Sequence, residues 1–490
     1  MTVRPFLLAL CLCIAAAPCG GQTLPDLGDI SSATLSEQQE RTIGNRIMRD
    51  VRVDKDFIDD PEIADYINAL GQRLLAVADP PRREIDFFVV RDESVNAFAL
   101  VGGHIGVHTG LVLLTQSESE LAGVLAHEIA HVLQKHQARV LAGQSRSSWT
   151  SLAALALALI ASRSGGSQAS QVTEAAVATA GALQIQTAID YTREHEREAD
   201  RVGLTLLQRA GFNTRAMSVF FERMLRANRL NEFKGAPSYL RTHPLTTERI
   251  ADIQQRIDPT AFSAMVVDSF EYRLARARIR AMSDTPAEAV KYFREELSDK
   301  TILRPREDVY GLALALRRTR DLETAWTTLE PIRKGDNAHP SFHVLAGQLK
   351  ADMRREGEAL EIYRAALKSH PGFRSLAYAY NELLQQMGRN RESLADLEER
   401  LRGGSEDARL YELQARAMEA SGRAIGQHRA QAEAYFRRGN LAAAVDQLEI
   451  AVKQVRGSDF YELSIAESRL RELRVQLENE RAAEKALKIS

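Results

Sequence analysis

The stretch Ser117–His136, SESELAGVLAHEIAHVLQKH, constrains this chain more than any other. Ser117 followed by Glu120 has the form of a capping box, which satisfies backbone N–H groups that a helix start leaves free. Leu121, Val124, Leu125, Val132 and Leu133 then recur at helical spacing, with no proline and no glycine beyond Gly123. On such a helix His127 and His131 stand one turn apart on one face, so both imidazoles can reach a single metal ion. Glu128, beside the first histidine, is placed to hold water at that ion rather than the ion itself. It is also the only carboxylate between Leu121 and Leu133, in a run otherwise apolar or histidine-bearing. A carboxylate in a buried run is costly unless it is paired or metal-associated. The plainer reading, an exposed helix with two solvated histidines, leaves that apolar run unexplained. HExxH in this setting implies a zinc-dependent hydrolase.

The first 21 residues read as a secretory signal peptide: Arg4, an apolar run, then small residues from Ala15 to Gly21. The run is too short to span a bilayer. Pro18 directly before Cys19 fits a lipid-attachment site poorly, so a soluble mature form is expected. All 3 cysteines lie in or at the edge of this segment, which excludes cysteine ligands and disulfides from the mature chain. Export without disulfides suits the periplasm of a Gram-negative bacterium. A net charge of −2 gives no reason to expect nucleic acid as a partner.

Residues 36–78 carry two helix-like patterns, and IDFFVV and GHIGVHTGLVLL read as strands with NAFALVGG between them. Gly102, Gly103 and Gly106 around His104 and His108 suggest a hairpin or bulge. In a protease such a strand would be an edge that pairs with extended substrate; otherwise it is a hairpin supporting the active-site helix. His104 and His108 fit a strand face better than a ligand set. Downstream, the apolar runs 151–161 and 172–189 are both shorter than the roughly 20 residues of a membrane span. They are expected to pack over the active-site helix, with a membrane-surface patch or a mobile lid as the alternative.

A hydrolytic site of this kind needs a third protein ligand. Tyr191–Gly203, YTREHEREADRVG, offers several. Glu196 and Asp200 lie four apart on one face, Glu194 and Glu198 form a parallel pair, and His195 is a third option. Residue chemistry does not choose among them. HEIAH followed by EREAD and then LRTHPLTTERI (Leu240–Ile250) resembles the HtpX-like zinc metallopeptidases. NAFALVGG (Asn96–Gly103) and LPDLG (Leu24–Gly28) extend the likeness. That resemblance implies a zincin-like α+β domain, mainly helical with a small sheet, over residues 22–265. It places the ExxxD motif of the family on Glu196 and Asp200, with Glu196 as third ligand to one Zn²⁺ per chain. It gives Asp200 a proton-donor role, whereas physically an orienting carboxylate is expected first. It also puts His243 on a loop near the metal, controlling access or assisting catalysis; the plainer role is to cap the helix after Pro244.

From about Phe270 the chain turns to Ala/Leu/Arg/Glu-rich helices with a 34-residue recurrence of tetratricopeptide type. Gly347, Ala359, Tyr363, Ala366 and Pro371 stand at the matching positions. The small residue that lets paired helices touch recurs at Ala289, Ala325, Ala359 and Ser393, in steps of 36, 34 and 34. Ala444 follows 51 residues later, so an extra helix is expected around Tyr411–Ala424. The all-α array of 266–490 should form a protein-binding groove and pack on the catalytic domain, since no flexible linker separates the halves.

Together with the resemblance, these features imply a periplasmic endopeptidase in which Glu128 serves as general base. Its expected partners are misfolded or assembling outer-membrane proteins and the β-barrel assembly machinery, with peripheral contact at the outer membrane as a further expectation. The alternative is a repeat-based chaperone or assembly scaffold with restrained proteolysis.

Overall fold

The computed structural model describes residues 37–79, 84–137, 193–230, 238–257, 266–298, 305–335, 337–453 and 460–489. The signal segment, Leu24–Gly28 and the apolar runs 151–161 and 172–189 lie outside the described residues. No described helix is long and apolar enough to cross a membrane.

Helices α1 (Glu37–Arg52) and α2 (Pro61–Leu75) fall where the sequence indicates. Asp60 caps α2 by accepting from the amides of Glu62 and Ile63 at 3.1 and 3.2 Å, and Pro61 fits the first turn because its missing N–H would have had no partner there. A three-stranded sheet follows: β1 (Asp86–Val90), β2 (Ala97–Leu100) and β3 (His104–His108), in the order β1-β3-β2. Strand β3 is parallel to β1 and antiparallel to β2. The β2–β3 turn needs left-handed backbone at Gly102 and Gly103 (φ +88° and +83°), which glycine adopts without a Cβ clash.

This topology corrects one expectation. GGHIGVHTG is not an edge: β3 is the central strand, hydrogen-bonded on both sides, and Gly106 receives the rings of Phe88 and Phe98. Among the described residues the outer strands of the sheet are β1 and β2. The hairpin itself forms as expected, with His104 and His108 buried on it.

After the short helix α3 (Thr109–Leu114) comes the central helix α4 (Glu118–Leu133). Only half of the capping box forms. Ser117 Oγ accepts from the Glu120 amide at 3.3 Å, but the Glu120 carboxylate turns to the Gln116 amide at 2.7 Å and to Arg223 at 2.6 and 2.7 Å. The guanidinium partner outcompetes the reciprocal cap because a charge-assisted, bidentate pair is the stronger bond. Around α4 lie α5 (Arg193–Arg209), α6 (Arg215–Arg229), α7 (Ser238–Thr242) and α8 (Thr247–Arg256). Leu121, Leu125 and Ile129 of α4 join Leu207, Phe220, Phe221 and Met224 in one core with Ile63 and Ile67 of α2. Each such side chain contributes about 1.5–3 kcal/mol on burial, which holds α4 rigidly from several sides.

The C-terminal half pairs α9 (Phe270–Ser283) with α10 (Pro286–Glu296), α11 (Arg306–Arg318) with α12 (Leu322–Arg333), and α13 (Pro340–Asp352) with α14 (Glu356–Ser369). It continues with α15 (Arg374–Gln386) and α16 (Asn390–Leu401), α17 (Ala408–Ala420) and α18 (Ala424–Arg437), then α19 (Leu441–Lys453) and α20 (Phe460–Ile489). Ala289, Ala325, Ala359 and Ser393 are fully buried at the helix contacts. Helix α17 occupies the place of the extra helix, yet it pairs with α18 as an ordinary unit, with Gly426 against Met418. Ala444 instead sits on the first helix of the next pair, which is why the recurrence breaks there.

The array packs on the first domain as expected. Arg278 of α9 is buried between Asp60 (2.7 Å), Glu62 (3.3 Å) and the Tyr310 hydroxyl. Arg374 of α15 pairs with Asp65 of α2. Farther along, Arg49 of α1 meets Glu480 at 3.3 Å and Arg52 donates to the Arg438 carbonyl.

Candidate metal centre

Two helices build the centre. On α4, His127, Glu128 and His131 are all completely buried. On α5, Glu196, Asp200 and Gly203 recur at i, i+4 and i+7, so they share one face. Gly203 lets that face approach α4 closely, since only a hydrogen separates it from the Ala126 backbone. The approach sets the carboxylates of α5 beside the imidazoles of α4. Glu196 Oε2 lies 3.5 Å from His127 Nε2, and Glu196 Oε1 lies 3.5 Å from His131 Nε2. The two Nε2 atoms are 3.0 Å apart.

Loop and helix after α6 supply the rest. His243, one residue past α7, places Nδ1 3.0 Å from Glu196 Oε1 and 3.4 Å from His127 Nε2, and its Nε2 lies 3.5 Å from Glu128 Oε1. One ligand atom from each of His127, His131, Glu196 and His243 falls within 4.8 Å of every other. Tyr239 stacks on His243 with ring centroids 4.7 Å apart, and its backbone N–H donates to the Val95 carbonyl, next to β2.

Asp200 does not enter this cluster of donors. Its Oδ1 is 3.0 Å from His127 Nδ1, on the far side of that ring, and Arg249 of α8 grips both its oxygens at 2.8 Å. Arg249 also reaches Glu196 Oε2 at 2.7 Å. Glu194 is exposed and outside the site, so the face shared by Glu196 and Asp200 is the inward one. His195 stacks on His136.

The electrostatics follow from this packing. Burial alone would raise the carboxyl pKa of Glu196, but His243 and His127 outweigh it and hold the group well below its usual range. Burial likewise opposes ionisation of Asp200, and the Arg249 hydrogen bonds reverse it. Burial disfavours a charged His127, yet hydrogen bonds to Asp200 and Glu196 carry its pKa up to about 9. His131 is pushed well below its usual value by burial and by the neighbouring His127. For Glu128, burial is the largest influence and raises its pKa. Among the described residues no side chain makes a close hydrogen bond to it; the Ala99 backbone and His243 Nε2, 3.5 Å away, are its polar neighbours.

A completely buried carboxyl with no close side-chain hydrogen bond among the described residues, set beside buried imidazoles and an anionic glutamate, is a poor end state for a closed core and a good one for a cation site. The donor set, two imidazole nitrogens and one carboxylate oxygen with a fourth position adjacent, is the composition a hydrolytic zinc ion takes. The residues fit the metal. Arg249, Tyr239 and His136 were not singled out from the sequence. For Arg249 the signal was present: two inward carboxylates on α5 require a cation, and the Thr246-capped helix of LRTHPLTTERI carries one.

The chain is similar to several known proteins. The model of peptidase family M48 matches residues 61–257. The beta-barrel assembly-enhancing protease of Escherichia coli K12 is 32% identical over 440 residues, which span 89% of this chain and 88% of that protein. A Vibrio cholerae protein is 38% identical over 343 residues, 68% of this chain and 69% of its own. The mitochondrial metalloendopeptidase OMA1 of Schizosaccharomyces pombe is 31% identical over a shorter 39% of this chain, 52% of its own length.

Proposed function

This chain belongs to peptidase family M48, and from that premise we propose that it is a periplasmic zinc endopeptidase acting in outer-membrane β-barrel assembly and quality control. The observation that carries the reading is the convergence of His127, His131 and Glu196 beside the completely buried carboxyl of Glu128. In this reading residues 1–21 are the signal peptide, 22–265 the peptidase domain and 266–490 the repeat array. The array recruits misfolded or assembling outer-membrane proteins and contacts their assembly machinery; a role in this process is in keeping with the Escherichia coli relative, which is named a beta-barrel assembly-enhancing protease.

His127, His131 and Glu196 hold one zinc ion. When bound, zinc supplies Lewis acidity, which makes water a nucleophile at neutral pH. Glu128 would accept the proton of a water attacking the scissile carbonyl and return it to the leaving amine. Its raised pKa suits both halves of the task. Asp200 keeps the proton of His127 on Nδ1 and so turns the Nε2 lone pair inward; this favours an orienting role over proton donation. Arg249 fixes Asp200 in turn.

His243 supports a second, compatible reading, in which proteolysis is restrained and the array acts as a chaperone or scaffold. Its Nδ1 competes for the position that a hydrolytic site keeps open. Incubating the purified full-length protein with an unfolded outer-membrane β-barrel, with and without chelator, tests both. Cleavage abolished by chelator and restored by zinc is expected. Cleavage indifferent to chelator overturns the peptidase reading, and binding without any cleavage favours the scaffold.

A further inference from the structure

Three residues beyond the end of α4, His136 is completely buried although it lies outside the HExxH pattern. The chain is bent to put it there. Lys135 adopts left-handed backbone (φ 52°), a conformation that crowds the Cβ of any residue but glycine. The bend returns the His136 ring to His131, with the two Nδ1 atoms 2.9 Å apart. On its other side His136 Nε2 lies 3.1 Å from Glu198 Oε2. The ring stacks on His195 with centroids 4.4 Å apart.

Proton counting orients this chain of contacts. A neutral imidazole carries one N–H, and a carboxylate can only accept. Glu198 therefore places the His136 proton on Nε2, which leaves a lone pair on its Nδ1. The short contact between the two Nδ1 atoms then requires His131 to donate. With its proton on Nδ1, His131 presents the Nε2 lone pair to the cluster with His127 and Glu196. Asp200 does the same for His127 in one step, directly from a carboxylate.

We propose that His136 and Glu198 are positioning residues, a two-step relay that fixes the tautomer and ring orientation of the ligand His131. Glu198 is the outer end, its side chain part-exposed on α5. The two ligand histidines are thus each oriented by a carboxylate from the helix that supplies the third ligand. Such outer partners are worth 10–100-fold in metal affinity. The proposal rests on the zinc reading above, and its test separates the two.

The test uses the full-length chain with ¹⁵N-labelled histidine. In metal-free protein, His131 should show the Nδ1–H tautomer, a signature that needs neither metal nor activity. His136→Phe keeps an aromatic ring to stack on His195, at the cost of a somewhat larger side chain, but removes the acceptor. It should lose that signature and weaken zinc binding, measured by chelator competition, by 10–100-fold. His136→Asn sets an amide oxygen near the place of Nδ1 and should restore affinity to within a few-fold of wild type. Phe and Asn variants that are equally weak, or a Phe variant with wild-type affinity and an unchanged His131 tautomer, overturn the relay. If His136→Phe does not fold, Glu198→Leu at the part-exposed end carries the test: the His136 Nε2–H signal should be lost and affinity fall several-fold, and no change in either overturns the proposal. Wild-type protein that binds no zinc refutes the metal site itself, while the tautomer still reports on the relay.

Discussion

Gly203 of α5 lies against the backbone of Ala126 on α4, where an added Cβ would stand 3.1 Å from both the Ala126 carbonyl and the His127 amide. The contact is between two helix backbones, so neither side can yield by turning a side chain. It sets the distance at which Glu196 and Asp200 meet His127. Gly203→Val should therefore separate the helices, destabilising the fold by about 1–3 kcal/mol and weakening zinc binding more than the stability loss explains. Denaturant titration of the metal-free protein beside chelator competition measures the two effects. Unchanged affinity would show that the helix spacing does not set the site.

Glu128→Gln should retain the fold and the metal while peptide hydrolysis falls by about 10²–10⁴-fold, because an amide cannot accept the proton of the attacking water. The substitution is nearly isosteric in a completely buried position. Turnover at the wild-type rate would remove Glu128 from the mechanism.

Removing the third ligand tests the register of α5. Glu196→Ala should lose most of its bound zinc on metal analysis, whereas Glu194→Ala, on the exposed face, should keep it. The reverse pattern would mean that the inward face of α5 has been misassigned.

His243→Ala should raise basal cleavage of a loosely folded substrate and leave zinc content unchanged, since His243 Nδ1 crowds the Glu196 and His127 donors as a fourth ligand would. A lower rate at constant zinc would instead make His243 a stabiliser of the transition state. A variant with wild-type rate and wild-type zinc would reduce it to a loop residue.

Acid should loosen the repeat array through His339. This residue caps α13 by accepting from the Ser341 amide at 3.2 Å, and its ring packs among Phe270, Phe342 and Phe373. Burial, helped by His370 and Arg306, lowers its pKa to about 4, whereas the unfolded chain takes up the proton near 6.5. The contribution of His339 to stability is thus complete above about pH 6.5 and is lost as pH falls toward 4, by on the order of 2 kcal/mol. Urea midpoints at several pH values for wild type and His339→Asn, which keeps a capping side chain, should show a shallower acid dependence in the variant. Parallel curves would exclude the residue as the source.

The metal-binding helix was legible in the sequence because its information is local. His127, Glu128 and His131 share one helix, and helical periodicity alone puts both imidazoles on one face. The repeat array was legible for the same reason, since each unit meets only its neighbours in the chain, and Ala289, Ala325, Ala359 and Ser393 mark those contacts. Spacing misled at Ala444, where the small residue moves to the first helix of its pair. It also misled at β3, where a glycine-rich strand can be an edge or can lie beneath aromatic rings, and pairing partners decide which. Among Glu194, His195, Glu196 and Glu198 the residues themselves could not choose a ligand, because all sit within five positions of one another and all are chemically able. The choice belongs to tertiary structure. Gly203 fixes which face of α5 turns inward, Arg249 arrives from another helix to neutralise that face, and a strained turn at Lys135 brings His136 back to His131. Each of these depends on how far apart two segments lie in space, a quantity that a linear pattern of residue types does not contain.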